Sequence, residues 1–334
     1  MACSYEAFLQ LPAAHPGGEL KAHRLGSIRR DFLAKNSEGA PVFLIAVPPD
    51  QTYFPSARYK YLSVDYKVSC RVNSDGESFE GTYVALSCDG SAVELFEMFV
   101  RVVAVGVAQF GDGATARDVD AYVISLQRLF RELDAPGSRE AAGLWGELFV
   151  ISVAEDCYAA LSAWRSDDND RFDFYCAAGP LEVKSTELST RIHEFSLEQL
   201  EVPIGRKGYV ASVMLQPISN GLGVIDLAMR IESRIQGRGE LRDRLWRNVL
   251  ISMGADFTRT LDRRFDEYYA LQHLAIIPMH EVPAPDRPSD RRISSVRFRS
   301  DVSTVVSGNS VAAKGRLDAF FSSLLAAALD TVSE

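Results

Sequence analysis

The residues best placed to do chemistry lie close together. Asp173 sits in Arg171-Phe172-Asp173-Phe174, and Glu182 and Lys184 sit in Leu181-Glu182-Val183-Lys184-Ser185-Thr186. Both pieces are apolar and strand-like, and Gly179-Pro180 between them signals a turn. Strand alternation puts Glu182 and Lys184 on one face, with Leu181 and Val183 on the other. In an antiparallel hairpin Asp173 then comes near Glu182. Two carboxylates and an ammonium gathered this way can hold a divalent metal beside a water, which is what metal-assisted phosphodiester hydrolysis needs.

Burying two like charges is costly without a cation between them. Magnesium would resolve that cost, because it prefers hard oxygen ligands. A plainer alternative is a surface ladder in which Lys184 pairs with Asp173 or Glu182, and the hairpin alone leaves both open. If the two acids repel, Asp173→Ala should barely lower the stability of the metal-free fold, or should raise it.

The acid-x-lysine triplet is common, and the chain supplies its own controls. Glu19-Leu20-Lys21 follows Pro16-Gly17-Gly18 in a loop, and Asp65-Tyr66-Lys67 has only Asp50, in a proline-rich turn, upstream. The third match alone has an acid on a preceding strand, a turn, and a helix before both. That helix is expected over 139–155 and contains Gly143-Leu144-Trp145-Gly146-Glu147. Glycine costs about 1 kcal/mol in a helix relative to alanine, so two of them three residues apart suggest close approach to another element. Glu147 follows directly; a solvent-facing glutamate is the ordinary alternative.

These groups need elements to position them. Residues 42–47, 61–72 and 81–86 read as strands, as does 99–110, while 91–100 is ambiguous. From 115 the period changes: Val119, Tyr122, Val123, Leu126, Leu129, Phe130 and Leu133 share one helical face. Ala135-Pro136-Gly137 stops that helix and Ser138 suits the next N-cap. After the hairpin, 209–215, 222–229, 269–278 and 293–299 read as strands, with helices over 238–253 and 312–329. The domain boundary is expected between 112 and 113: a β-rich N-terminal domain over 1–112, then an α/β domain over 113–334.

The 334 residues are enough for two domains, and 24% charged residues suit a globular protein without long apolar spans. The start carries Glu6 and no uninterrupted apolar run, so it does not read as a signal peptide. Five cysteines with no C-x-x-C pair fit reduced thiols in a cytoplasm, not a zinc site or a disulfide scaffold. A net charge of −9 argues against bulk nucleic-acid binding. Arginines do cluster, as in Arg230, Arg234, Arg238, Arg242, Arg244 and Arg247, and in Arg287, Arg291, Arg292, Arg297 and Arg299. Such patches either bind phosphate or are solvated faces paired with acids.

Gly-x-x-Gly-Glu on a helix, then Phe-Asp-Phe, then Leu-Glu-Val-Lys-Ser-Thr resembles the core of the PD-(D/E)XK nuclease superfamily. It looks most like bacterial proteins known chiefly by that motif and found among restriction and phage-defence genes. The similarity is best over 138–200. It implies a restriction-endonuclease-like mixed sheet flanked by helices, in the α/β (α+β) class. It also implies a magnesium-dependent endodeoxyribonuclease, with manganese as substitute. By position, Asp173 matches the first acid, Glu182 the second, Lys184 the lysine, and Glu147 an extra helical acid. Asp173, Glu182, the Val183 carbonyl and Glu147 would hold the metal or its waters. Ser185, Thr186, His193 and Gln199 sit where such nucleases place groups that contact phosphate or support the lysine. Phenylalanine precedes Asp173 where the motif has proline, and the spacing to Glu182 is short, as a tight hairpin requires. The competing class is a non-catalytic DNA-binding or scaffold subunit that keeps the fold. No ATPase motif is present, so energy-dependent steps would need a separate ATPase. A homodimer stays open, and no membrane association is expected.

Overall fold

The computed structural model describes residues 4–15, 19–48, 54–132, 140–165, 170–235, 237–254, 257–290, 292–293, 295–306 and 308–330. Leu133, the expected stop at 135–137, the Ser138 cap, Asp50 and Arg291 lie outside them. The chain divides into two compact units, residues 1–136 with 242–255, and residues 137–241 with 256–334. This differs from the boundary expected at 112/113. The amphipathic helix after residue 115 groups with the first unit, and a later segment returns to it. Among the described residues, no helix is long and apolar enough to cross a membrane.

The first unit runs α1 (Ser4–Gln10), β1 (Leu20–Arg24), β2 (Phe32–Lys35), β3 (Pro41–Ala46), β4 (Ala57–Arg58), β5 (Leu62–Ser74), β6 (Glu77–Cys88), α2 (Phe96–Val107) and α3 (Ala116–Glu132). Its strands form one sheet in the order β1-β2-β3-β6-β5-β4, and β1 also pairs in parallel with β5. Asp75 and Gly76, both at positive φ, make the tight β5–β6 turn, as Asp-Gly pairs do in hairpins. Phe32, Leu44, Val72 and Tyr83 cluster in the core beneath the sheet.

The strand expected over 99–110 is instead most of α2. Its β-branched run (Val100, Val102, Val103, Val105 and Val107) favours a strand locally, but the segment is buried nearly all round. A helix satisfies its own backbone in that setting, so burial overrides local propensity. Arg101 is buried within it and pairs with Glu97 one turn earlier. On α3, Val119, Val123, Leu126, Leu129 and Phe130 are all buried, as the periodicity predicts.

The second unit begins with α4 (Ala141–Val153), α5 (Cys157–Ala163), β7 (Phe174–Cys176), β8 (Gly179–Thr186), β9 (Ile192–Ser196), β10 (Tyr209–Met214), β11 (Pro217–Leu222) and α6 (Val224–Arg234). The chain then passes through α7 (Gly239–Met253) into the first unit, where Trp246 is buried under the Arg101 guanidinium at 5.0 Å. It returns for α8 (Phe257–Asp262), α9 (Glu267–Gln272), β12 (Ala275–Pro278), β13 (Arg297–Asp301) and α10 (Ser310–Asp330).

The central sheet of this unit is mixed, in the order β12-β10-β8-β7, with β8 and β10 parallel and both outer pairings antiparallel. β9 and β13 form a separate antiparallel ribbon. The strand expected over 222–229 is mostly α6: its N-terminus is fixed by the Asp226 carboxylate, which accepts the Gly223 N–H at 2.8 Å. The segment 269–278 is likewise split, because Asp266 caps α9 through the Tyr269 N–H before β12 begins. The strand expected over 293–299 starts later, as β13 at Arg297.

Candidate active site

Hairpin geometry brings the two acids of the motif together. Phe174 pairs with Leu181 in antiparallel register, so one step further Asp173 stands opposite Glu182, just beyond the end of β7. The Asp173 carboxylate takes over from the ladder there: its Oδ2 accepts the Val183 N–H at 2.8 Å. The N–H and C=O of one strand residue leave the same edge. The Val183 carbonyl therefore points along the edge that Asp173 occupies. Asp173 is 1% exposed and Glu182 2%.

The hairpin turn is tight for a local reason. Gly179 has φ +135°, and a Cβ there would collide with the Lys207 carbonyl. Only glycine lets the turn lie against that loop, where the Lys207 N–H donates to the Ala178 carbonyl at 3.2 Å.

Glu182 and Lys184 share the opposite face of β8 from Val183 and Ser185, as alternation predicts. Lys184 Nζ lies 2.9 Å from Glu182 Oε1. Gln199, on a short 3₁₀ turn after β9, joins the pair from the other side. Its Nε2 donates to Glu182 Oε1 at 2.5 Å, and its Oε1 accepts from Lys184 Nζ at 3.2 Å and from the Ser196 N–H at 3.1 Å. The lysine also lies 5.4 Å from the Phe195 ring centroid. The ammonium is thus held by an acid, an amide and an aromatic face, and its side chain is only 18% exposed.

His193 is buried on β9, and its Nε2 is 2.7 Å from Ser212 Oγ. Arg191 also donates to that hydroxyl at 2.9 Å. Burial chiefly, and then the positive charges of Lys184 and Arg191, lower the His193 pKa to about 4, against a weaker opposing pull from Asp301. His193 is therefore neutral at pH 7 and belongs to the packing behind the lysine.

On the other face of β8, α4 packs closely. A Cβ added at Gly146 would collide with Ser185 Oγ and touch Val183, whereas Gly143 faces open space. Of the two helix glycines, Gly146 alone marks a close approach. Ser185 thus faces the helix, and its buried hydroxyl has no hydrogen-bond partner among the described residues. Thr186 Oγ1 accepts the Leu188 N–H at 3.2 Å and shapes the end of the strand.

Glu147 is fully buried, not solvent-facing. Its Oε2 accepts from Trp164 Nε1 at 2.7 Å and from Arg165 Nε at 3.3 Å. The Arg165 N–H in turn donates to the Asp173 carbonyl at 2.9 Å. Glu147 is therefore tied to the Asp173 segment through Arg165. Among the described residues no three His, Cys, Asp or Glu side chains converge as a metal-holding group. Trp164, Arg165 and Phe195 carry no sequence signal of their own, because each meets the site only through tertiary packing.

The donor chemistry fits a hard divalent cation. The motif offers two buried carboxylates to one ammonium, with a backbone carbonyl on the same edge as Asp173. Both carboxylates are held inside the fold, Asp173 against the Val183 N–H and Glu182 against Lys184 and Gln199. Hard oxygens at a strand edge are the ligand type magnesium takes.

Most clustered arginines of this unit are already engaged. Arg230 pairs with Glu267, Arg263 with Glu187, Arg264 with Asp226, Arg292 with Asp290 and Arg297 with Glu194. Arg234 donates to the carbonyls of Ser152, Ala154 and Glu155 at the end of α4. These are solvated or capping pairs of the ordinary kind.

No curated protein and no solved structure matches the chain. A family profile described as "Putative PD-(D/E)XK family member (DUF4420)" matches residues 5–271. That span contains the hairpin, the α4 acid and the Gln199 clamp, within a mixed α/β architecture of the restriction-endonuclease-like kind. The chain belongs to this PD-(D/E)XK family.

Proposed function

We propose that this protein is a metal-dependent nuclease that hydrolyses DNA phosphodiester bonds. The observation that carries the proposal is the clamp of Gln199 on both Lys184 and Glu182, across the hairpin from Asp173. A lysine held by three groups in a largely buried site is organised for one position. A surface ladder would leave it mobile.

Asp173, Glu182 and the Val183 carbonyl would hold Mg²⁺, or Mn²⁺ in its place. Such an ion supplies charge for the phosphoryl oxygens and lowers the pKa of a water bound to it. The protein's own groups do the rest. Asp173 fixes the edge of β8 by accepting the Val183 N–H, which presents the neighbouring carbonyl. Glu182 holds Lys184 in register, and Gln199 stops the pair collapsing out of line. The Lys184 ammonium has donors only, so it orients the attacking water and stabilises the charge that grows on the phosphate. Glu147 acts from behind, through the Arg165 guanidinium and backbone, on the position of Asp173 and on waters at the site. A role in restriction or phage defence, with any energy-dependent step supplied by a separate ATPase, completes the proposal.

One observation favours a second reading. The Lys184–Glu182 ion pair already compensates one acid without a metal. A non-catalytic DNA-binding or scaffold subunit would look the same at that pair. Calorimetric titration with Mg²⁺ and Mn²⁺ beside a DNA-cleavage assay separates the two. The nuclease reading expects metal binding and metal-dependent cutting. DNA binding with neither would support the scaffold.

A further inference from the structure

Beside Asp173 the chain forms a half-open cavity of about 330 Å³. Its walls include Trp164, Arg165, Asp170, Arg171, Phe172 and Tyr175. The Phe172 and Tyr175 rings stack with centroids 6.5 Å apart and planes 29° apart. Phe172 is buried, while Tyr175 is 51% exposed. The Arg171 guanidinium lies 5.0 Å from the Phe172 ring centroid.

The cations here are committed inward. Arg171 donates to the Glu201 carboxylate and backbone and to the Glu198 carbonyl, and Arg165 pairs with Glu147. A site built for an anion would aim those forks at the ligand. What the cavity offers outward is the half-exposed Tyr175 ring. Such a surface suits a flat, weakly polar ring that can stack on it. The volume is at the small end of ligand pockets, which suits one base, not a stacked run.

Two of the cavity's lining residues adjoin the motif. Phe172 precedes Asp173 directly, and Arg165 is hydrogen-bonded to the Asp173 carbonyl. We infer that this cavity receives one unstacked nucleobase next to the phosphate being cut, so that the preferred substrate is DNA carrying an unpaired nucleotide there: a single strand, a flap or a frayed end. The inference rests on the nuclease reading for the position of the phosphate. A base within a continuous duplex cannot reach such a pocket without first leaving the stack.

The test is binding in EDTA, where metal-dependent cutting is absent, of the full chain to labelled single-stranded, flapped and blunt-duplex oligonucleotides of equal length. Single-stranded and flapped DNA should bind more tightly than blunt duplex. Tyr175→Ala should weaken them by about 5- to 100-fold, the effect of losing one base–aromatic stack, with little change for duplex. Tyr175→Phe, which keeps the ring, should bind like wild type and controls for folding along with a thermal melt. Equal binding by wild type and a folded Tyr175→Ala, or tighter binding of blunt duplex, overturns the inference. Loss of single-strand binding in Tyr175→Ala when wild type cuts no DNA in Mg²⁺ would support the pocket and remove the nuclease reading instead.

Discussion

Replacing Asp173 by alanine removes a proposed metal ligand and a structural acceptor together, and asparagine separates the two. The Val183 N–H is buried and donates to Asp173 Oδ2 at 2.8 Å. Leaving a buried donor unsatisfied costs about 1–3 kcal/mol. Repulsion from Glu182 and attraction from Lys184 act on Asp173 with opposite signs. Because those two are ion-paired at 2.9 Å, the effects largely cancel at the distance of the neighbouring strand. The hydrogen bond then decides the sign. Stability should therefore fall, where the sequence alone predicts it nearly unchanged or raised. A central cost of about 2 kcal/mol corresponds to about 4–8 °C in Tm for a folding unit of this size. Asp173→Asn keeps an oxygen acceptor and should lose about 1 kcal/mol or less. The assay is thermal unfolding of wild type and both variants, in EDTA and in Mg²⁺. In EDTA the expected order is wild type, then Asn, then Ala. In Mg²⁺ only wild type should gain stability, because only it binds the ion. Equal melting of the two variants in EDTA, or Asp173→Ala at or above wild type, would refute the reasoning.

Gln199→Met should remove three hydrogen bonds at once and slow cleavage about 10- to 100-fold, as loss of groups supporting a metal site does; a rate equal to wild type would show that Lys184 is positioned without it. His193 is neutral in the fold with a pKa lowered to about 4. Its unfolded form takes a proton near pH 6.5, so stability falls as pH drops from about 6.5 toward 4, by up to about 3 kcal/mol. His193→Gln, which can keep a bond to Ser212, should flatten that part of the pH–stability curve, and an unchanged slope would contradict the assignment. Gly146→Ala should lose, to its collision with Ser185 Oγ, the roughly 1 kcal/mol that alanine otherwise adds to a helix, leaving stability near wild type. Adding Ser185→Ala should recover that loss, and a double-mutant cycle with no coupling would show that the helix does not approach β8 there.

The core of the site was legible because its parts are close in sequence. Hairpin register and strand alternation act over a few residues, so Asp173, Glu182 and Lys184 could be placed before any tertiary contact was known. The interior of Glu147 was not legible in the same way. Its helix is apolar on nearly every side, so no periodic face says which residue is buried, and its partners Trp164 and Arg165 lie 17 and 18 residues on. Gln199 was singled out only through the family resemblance. That its amide bridges both members of the ion pair depends on how β9 returns over β8, and local spacing does not encode that.

The fold shows the same division. Period and turn chemistry placed β3, β5, β6, β8, β10, α3, α7 and α10 approximately where they occur. α2 was misread because a valine-rich run fits either a strand or a fully buried helix. α6 and α9 were misread because short helices fixed by Asp226 and Asp266 follow strand-like sequence with little change of composition. The return of 242–255 to the first unit has no marker along the chain at all. α7 is one amphipathic helix from end to end, and only long-range packing divides it between the units.

The most direct test of the account is single-turnover cleavage of DNA by wild type and Lys184→Ala in Mg²⁺ and in Mn²⁺, with metal binding followed in the same samples. The proposed mechanism requires wild type to cut only when metal is present. It requires Lys184→Ala to keep its metal and cut about 10²- to 10³-fold more slowly, the effect of losing one well-placed group that stabilises transition-state charge. A Lys184→Ala protein that cuts as fast as wild type would contradict the assigned role and place any activity elsewhere in the chain.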